Sequence, residues 1–206
     1  LAYRVVGGSQ LIALRLAEAL GEAVLLEHPV RAIRHADHGV VVSGGVATVS
    51  ARHAVVAIPP NLTGAIRFDP TPPAWRMRLE AGISQGNVIK LLAVYDEPFW
   101  RAEGLSGQGF APYQLVRELY DNSPPSGAPG VLVTFLAGES ADAAGRWSAA
   151  GRGSAVLHGF ARYLGPRALA ASDVIELDWS AEEWTRGAYA ATFGVGGLAR
   201  FGPDLR

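Results

Sequence analysis

Lys90 is the residue whose type and setting most invite a chemical reading. It lies in the run Val88–Tyr95, and an alternation of two puts it on the same face as Val88, Leu92 and Val94. A lysine in that setting either guards a strand edge against unwanted pairing or is a buried ammonium with a task. Pattern alone favours the guard, because lysine is seldom fully buried. Other candidates are weaker. Gly194-Val195-Gly196-Gly197-Leu198-Ala199 matches the loose dinucleotide pattern G-x-G-x-x-A, but that motif needs a long following helix and an acidic residue about 20 positions on. Pro203 follows instead, so the match reads as coincidence. His35 and His38 sit in the polar turn His35-Ala36-Asp37-His38-Gly39 without a third ligand, which argues for a solvated turn and no metal. No nucleophile elbow and no Walker loop occur.

The elements that would position these residues read as follows. Ser9 to Gly21 is an amphipathic helix with start and stop signals. Short strands follow at 23–26, 30–33, 40–42 and 46–49, turned by Gly39 and Gly44-Gly45, and a nearly all-apolar strand at 52–58 ends at Pro59-Pro60. Pro70, Pro72 and Pro73 lead into a helix over 74–81; strands are expected at 88–95, 131–136 and 174–177, and a helix at 153–164 before Gly165-Pro166. The stretch 104–130 reads as loop. Interleaved strands and helices predict an α/β or mixed α+β class, with breaks near Pro59-Pro60 and near Asp178.

Composition narrows the class. With 49% hydrophobic and 18% charged residues the chain can bury a core, and a formal net charge of -1 gives no reason to expect nucleic acid or an anionic membrane as partner. No apolar run approaches the roughly 20 residues that span a bilayer, so no membrane segment is expected. Cysteine is absent, which excludes disulfides and thiolate chemistry and is compatible with the cytoplasmic location expected here. A first residue of leucine, rather than methionine, leaves a trimmed domain and a partial reading frame both open.

The order of segments carries more information than any one motif. YRVVGGSQ opens the chain, then come HPVRAI, VVAIPP, GNVIK and YDEPFW, then LSGQ and DNSPP, and finally DWSAEEWTRGAY with RFGP close behind. This succession resembles the flavin monoamine oxidase family along essentially the whole chain. The resemblance implies the interior of a two-domain FAD-dependent amine oxidase: residues 1–60 as part of the FAD-binding domain, 61–178 as the substrate-binding domain on a mixed sheet, and 179–206 as a return to the FAD-binding domain. It implies oxidative deamination of a small-molecule amine, with hydride equivalents passing to flavin and electrons to oxygen.

Site residues follow from the same resemblance. Lys90 matches the family's lysine that holds a water beside the flavin ring, which reverses the guard reading. Tyr189 matches one wall of an aromatic cage, where a π-face suits an amine, and these two are the expected catalytic residues. Trp179 matches a position near the flavin, and Val30 a valine whose main chain contacts the adenine. Phe135 and Tyr120 match positions lining the substrate cavity. Phe135, Tyr120 and Trp179 would serve equally as core, and Tyr189 as an ordinary strand tyrosine. No metal is expected.

The chain departs from the family in three places. Animal monoamine oxidases have a flavin-linking cysteine where this chain has Ala188, so any FAD would be non-covalent. Gly194-Val195-Gly196 replaces a usual Pro-Pro-Gly, and Ile83-Ser84-Gln85 replaces a usual Met-Pro-Met. The strand and G-x-G-x-x-G turn that cradle the pyrophosphate are missing, so the isolated chain is expected to be inactive and poorly soluble. A non-catalytic ligand-binding or interaction domain derived from the substrate half, and an oxidase of polyamines or amino acids, are the alternatives. Oligomeric state is open.

Overall fold

The computed structural model describes residues 5–205, and the chain divides into two compact units. Leu1–Ala57 with Ala65–Pro72 form the first, and Ile58–Gly64 with Pro73–Arg206 the second. Both mix helices and strands, as the patterning predicts.

In the first unit, helix α1 (Gln10–Leu20) precedes strands β1 (Val30–Ala36), β2 (Gly39–Gly44), β3 (Thr48–Ala51) and β4 (Arg67–Asp69). The sheet order is β3-β2-β1-β4, with β4 parallel to β1 and the other pairs antiparallel. α1 has the expected apolar spacing, yet Ile12, Leu14, Leu16 and Leu20 are all exposed. Two expectations fail here. Residues 23–26 form a short 3-10 turn and loop, and residues 52–58 run exposed without strand pairing, Val55 being 90% exposed. An apolar run becomes a strand only when another strand supplies hydrogen bonds along it, and none of the described residues does so.

The second unit carries helices α2 (Ala74–Ala81), α3 (Phe99–Ala102), α4 (Glu139–Ala144), α5 (Ala149–Leu164) and α6 (Gly197–Phe201). Its strands are β5 (Ile83–Gln85), β6 (Val88–Tyr95), β7 (Gly109–Phe110), β8 (Glu118–Asp121), β9 (Gly130–Ala137), β10 (Asp173–Asp178) and β11 (Ala191–Phe193). The main sheet runs β10-β6-β9-β8-β7, all antiparallel, and β5 pairs with β11. Strands β7 and β8 occupy the stretch expected to be loop. Helix α5 begins four residues earlier than its apolar spacing suggests, because Ser148 caps it by accepting a hydrogen bond from Gly151 N at 3.1 Å.

Alternation then divides the main sheet into two faces. Ile89, Leu91, Ala93 and Tyr95 of β6, with Leu132 and Leu136 of β9, point into a core completed by Trp100, Val156 and Phe160. Full burial of each leucine, isoleucine, valine or phenylalanine among them contributes about 1.5–3 kcal/mol. Tyr95, Phe99 and Trp100 meet edge-on at 5.1–5.7 Å, and the Tyr95 hydroxyl donates to the Ala168 carbonyl at 2.8 Å. Arg152 grips Glu176 with two parallel hydrogen bonds, Nε to Oε2 at 2.7 Å and Nη2 to Oε1, fastening α5 to β10. The opposite face carries Lys90, Leu92 and Val94 of β6 with Phe135 and Val133 of β9.

Candidate active site

The open face of the main sheet is set by register. Leu177 of β10 pairs with Lys90 of β6, and Lys90 pairs with Phe135 of β9. The next row holds Ile175, Leu92, Val133 and Tyr120. Carried one alternation further, the β8–β9 register brings Glu118 level with Phe135, and Thr134 Oγ1 donates to the Glu118 carbonyl at 2.6 Å to hold it there. One row of the sheet thus presents a cation, an aromatic ring and a carboxylate.

Tyr189 reaches this row from outside the sheet. Gly86 and Gly187 bring two backbones together, with Ala188 N donating to Gly86 O at 2.8 Å. A Cβ on Gly187, whose φ is +139°, would stand 2.5 Å from Gly86 O. A side chain at either glycine would push the strands apart, and Tyr189 with them. So placed, the Tyr189 ring meets Phe135 edge to face, centroids 5.6 Å apart at 71°. Lys90 Nζ lies 6.0 Å from the Phe135 centroid, within reach of its π-face. Tyr189 remains 68% exposed, so the aromatic pair faces outward.

Electrostatics links the same residues. Burial first, then the charge of Glu118 and the neighbouring Tyr120, raise the Tyr189 phenol above its ordinary value. Tyr120 donates to Glu118 Oε2 at 2.8 Å, and that hydrogen bond, with burial and the carboxylate's charge, raises the Tyr120 phenol. Both tyrosines are therefore neutral across the physiological range.

Of the residues expected from the sequence, Lys90, Phe135, Tyr120 and Tyr189 are gathered on this face. Trp179 follows β10, half-buried, with its backbone N–H donating to Val88 O at 3.1 Å. Val30 opens β1 in the first unit, 38% exposed and opposite Gly44. Glu118 and Gln85 escaped the sequence reading; the alternation Glu118-Leu119-Tyr120 is the signal a strand assignment for 118–121 would have used. Among the described residues no group of three His, Cys, Asp or Glu side chains could hold a metal. A groove of about 520 Å³ along α5, lined by residues such as Gly153, Leu157 and His158, lies on the helical face and shares none of these side chains.

The family profile described as flavin containing amine oxidoreductase matches residues 2–206. The chain belongs to that family. It is 42% identical to putrescine oxidase of Kocuria rosea over 98% of this chain and 45% of that protein. It is 37% identical to L-amino acid dehydrogenase of Synechocystis, over 97% of this chain and 42% of that one. A solved structure of wild-type putrescine oxidase bound to putrescine superposes with a TM-score of 0.93 at 45% identity, covering 97% of this chain and 45% of that chain. Cyclohexylamine oxidase from Brevibacterium oxydans gives 0.90 at 33% identity, covering 97% and 44%. The chain spans about 45% of the length of these relatives.

Family membership makes the cofactor a flavin, and part of the chain fits one. The open face is largely apolar, and Gln85 Oε1 is buried beside Gly187 without a hydrogen-bond partner among the described residues. An N–H at the edge of a flat ring is the kind of group that acceptor lacks. The phosphate half is not matched: the Gly194–Gly197 turn leads into α6, a helix of five residues that gives way to the 3-10 turn Gly202–Leu205. Among the described residues no helix is long and apolar enough to cross a membrane.

Proposed function

We propose that this chain supplies the substrate face of an FAD-dependent oxidase of amines, with residues 1–60 and 179–206 belonging to the FAD-binding domain and 61–178 to the substrate-binding domain. The observation that carries this is the gathering of Lys90, Phe135 and Tyr189 on one open sheet face. The relatives named as putrescine and cyclohexylamine oxidases support it.

Phe135 and Tyr189 offer the amine two ring surfaces at right angles, which attract a cation and steer the lone pair of the neutral form. The neutral Tyr189 phenol keeps a negative charge from trapping the substrate as its ammonium. Lys90 holds a water at Nζ and brings positive charge to the place where oxygen is reduced. Leu92 and Val133 give the same face an apolar floor that excludes water beneath the substrate. Bound there, the flavin supplies the two-electron acceptor for the hydride equivalent leaving the amine's α-carbon. Ala188 carries no thiol, which supports a cofactor held without a covalent bond.

The test is anaerobic mixing of the flavin-loaded oxidase whose substrate face this chain supplies with primary amines. Loss of the oxidised flavin absorbance, followed by hydrogen peroxide formation when oxygen is admitted, is expected. A flavin that stays oxidised with every amine offered overturns the proposal.

A further inference from the structure

Gly86, Asn87 and Val88, where β5 gives way to β6, grip both ends of the loop that delivers Tyr189. Val88 O accepts from the backbone N–H of Trp179 at 3.1 Å, where the loop leaves β10. Gly86 O accepts from Ala188 N at 2.8 Å and Gly86 N donates to Ala190 O at 3.2 Å, on either side of Tyr189. Asn87, between them, uses both ends of its amide. Ser180 Oγ donates to Asn87 Oδ1 at 2.6 Å, and Asn87 Nδ2 donates to Asp142 Oδ1 on α4. The Asn87 main-chain carbonyl accepts from Gly138 N at 3.0 Å, which anchors it to the end of β9. Residues further along bond within the loop, Arg186 N donating to Glu182 O at 2.8 Å and Thr185 Oγ1 to Trp179 O at 3.5 Å. Among the described residues, the side chain of Asn87 is what ties the loop to α4.

We infer that Asn87 is a positioning residue for Tyr189: by joining Ser180 to Asp142 it fixes the start of the loop whose far end sets the tyrosine ring against Phe135. This rests on the amine-oxidation reading above. The position must accept from a hydroxyl and donate to a carboxylate at once, which a primary amide does. Alanine does neither, and an aspartate would set two carboxylates against each other. Tyr189 is 68% exposed, so core packing does not hold its ring in place. With the tie cut, the loop opens more often and the ring spends less time edge-on to Phe135. An amine then binds more weakly, while Lys90 on β6 keeps its place.

The flavin-loaded oxidase whose substrate face this chain supplies is compared with its Asn87→Ala and Asn87→Asp variants, and with Asn87→Asp combined with Asp142→Asn. Amide hydrogen exchange over residues 179–190, read without amine, is expected to quicken about 3- to 10-fold in both single variants. The KM for n-butylamine should rise by a similar factor, with kcat changed by no more than about two-fold. The exchanged pair should return both quantities to wild-type values, because the carboxylate at 87 still accepts from Ser180 and the amide at 142 now donates to it. A lower Tm with exchange and KM unchanged assigns Asn87 to stability alone and overturns the inference. Faster exchange with an unchanged KM, or an exchanged pair that behaves like Asn87→Asp, overturns it as well and leaves amine oxidation standing. A wild type that oxidises neither n-butylamine nor any other amine overturns both.

Discussion

Tyr189 stands edge-on to Phe135, ring centroids 5.6 Å apart at 71°, although the two residues are 54 positions apart in the chain (189 − 135). The tyrosine is delivered by the Gly86–Gly187 backbone approach and the phenylalanine by β9, so the pair exists only if both elements hold their places. Replacing Tyr189 by Phe keeps the ring and should change kcat/KM for an amine by no more than a few-fold. Tyr189→Ala removes the π-face, worth about 0.5–2 kcal/mol, and should lower kcat/KM roughly 2- to 30-fold. Steady-state kinetics of the flavin-loaded protein checks this; identical losses in both variants would show that the hydroxyl, and not the ring, matters.

Lys90 pairs with Phe135 across β6 and β9 and points its ammonium toward that ring. Lys90→Met preserves length and apolar stem but removes the charge. Reoxidation of the reduced flavin by oxygen is expected to slow by about 10- to 100-fold, with anaerobic reduction by amine changed much less. Stopped-flow separation of the two half-reactions reads the difference. A variant slowed only in flavin reduction would assign Lys90 to the substrate instead.

Gly187 has no room for a side chain, since a Cβ would stand 2.5 Å from Gly86 O at a φ of +139°. Gly187→Ala should cost about 1–3 kcal/mol in backbone conformation alone and displace Tyr189 from Phe135. Thermal unfolding should show a lower Tm. The amine KM should rise together with it.

Asp121 clamps the β8 end of the sheet to α3. Its carboxylate accepts from Trp100 Nε1 at 2.9 Å, from Arg101 Nε at 2.7 Å and from Ser123 N at 2.8 Å. Burial opposes its ionisation, but the hydrogen bonds from Arg101, Ser123 and Trp100 outweigh burial and hold it at about 2, below the ordinary 3.8. A depressed carboxylate stabilises the fold above its unfolded value and loses that contribution as the proton binds. Stability should therefore fall between about pH 4 and pH 2, and Asp121→Asn should flatten that slope. Asp121→Ala leaves the fully buried Trp100 indole N–H without its acceptor, for a loss of about 1–3 kcal/mol by denaturant unfolding at pH 7.

The local pattern determined a good deal. The alternation in 88–95 and 131–136 defined β6 and β9 and which of their residues share a face, because side chains in a strand project with a period of two. That alone put Lys90 opposite the core residues Ile89 and Leu91. Ordered motifs placed the chain in its family, since many weak matches in sequence constrain more than one strong one. The same patterning misread 52–58, where apolar residues need a strand partner before they become a strand.

What only the tertiary structure decided was which distant residues meet. Tyr189 against Phe135 depends on two glycines allowing backbones to touch, and Glu118 level with Phe135 depends on the register of β8 on β9. Strand pairing is a relation between segments, and neither segment states it alone. A short strand such as β8, flanked by turn residues and carrying a charged side chain, reads as loop until its neighbour supplies the hydrogen bonds. Its carboxylate then becomes part of the site for the same reason.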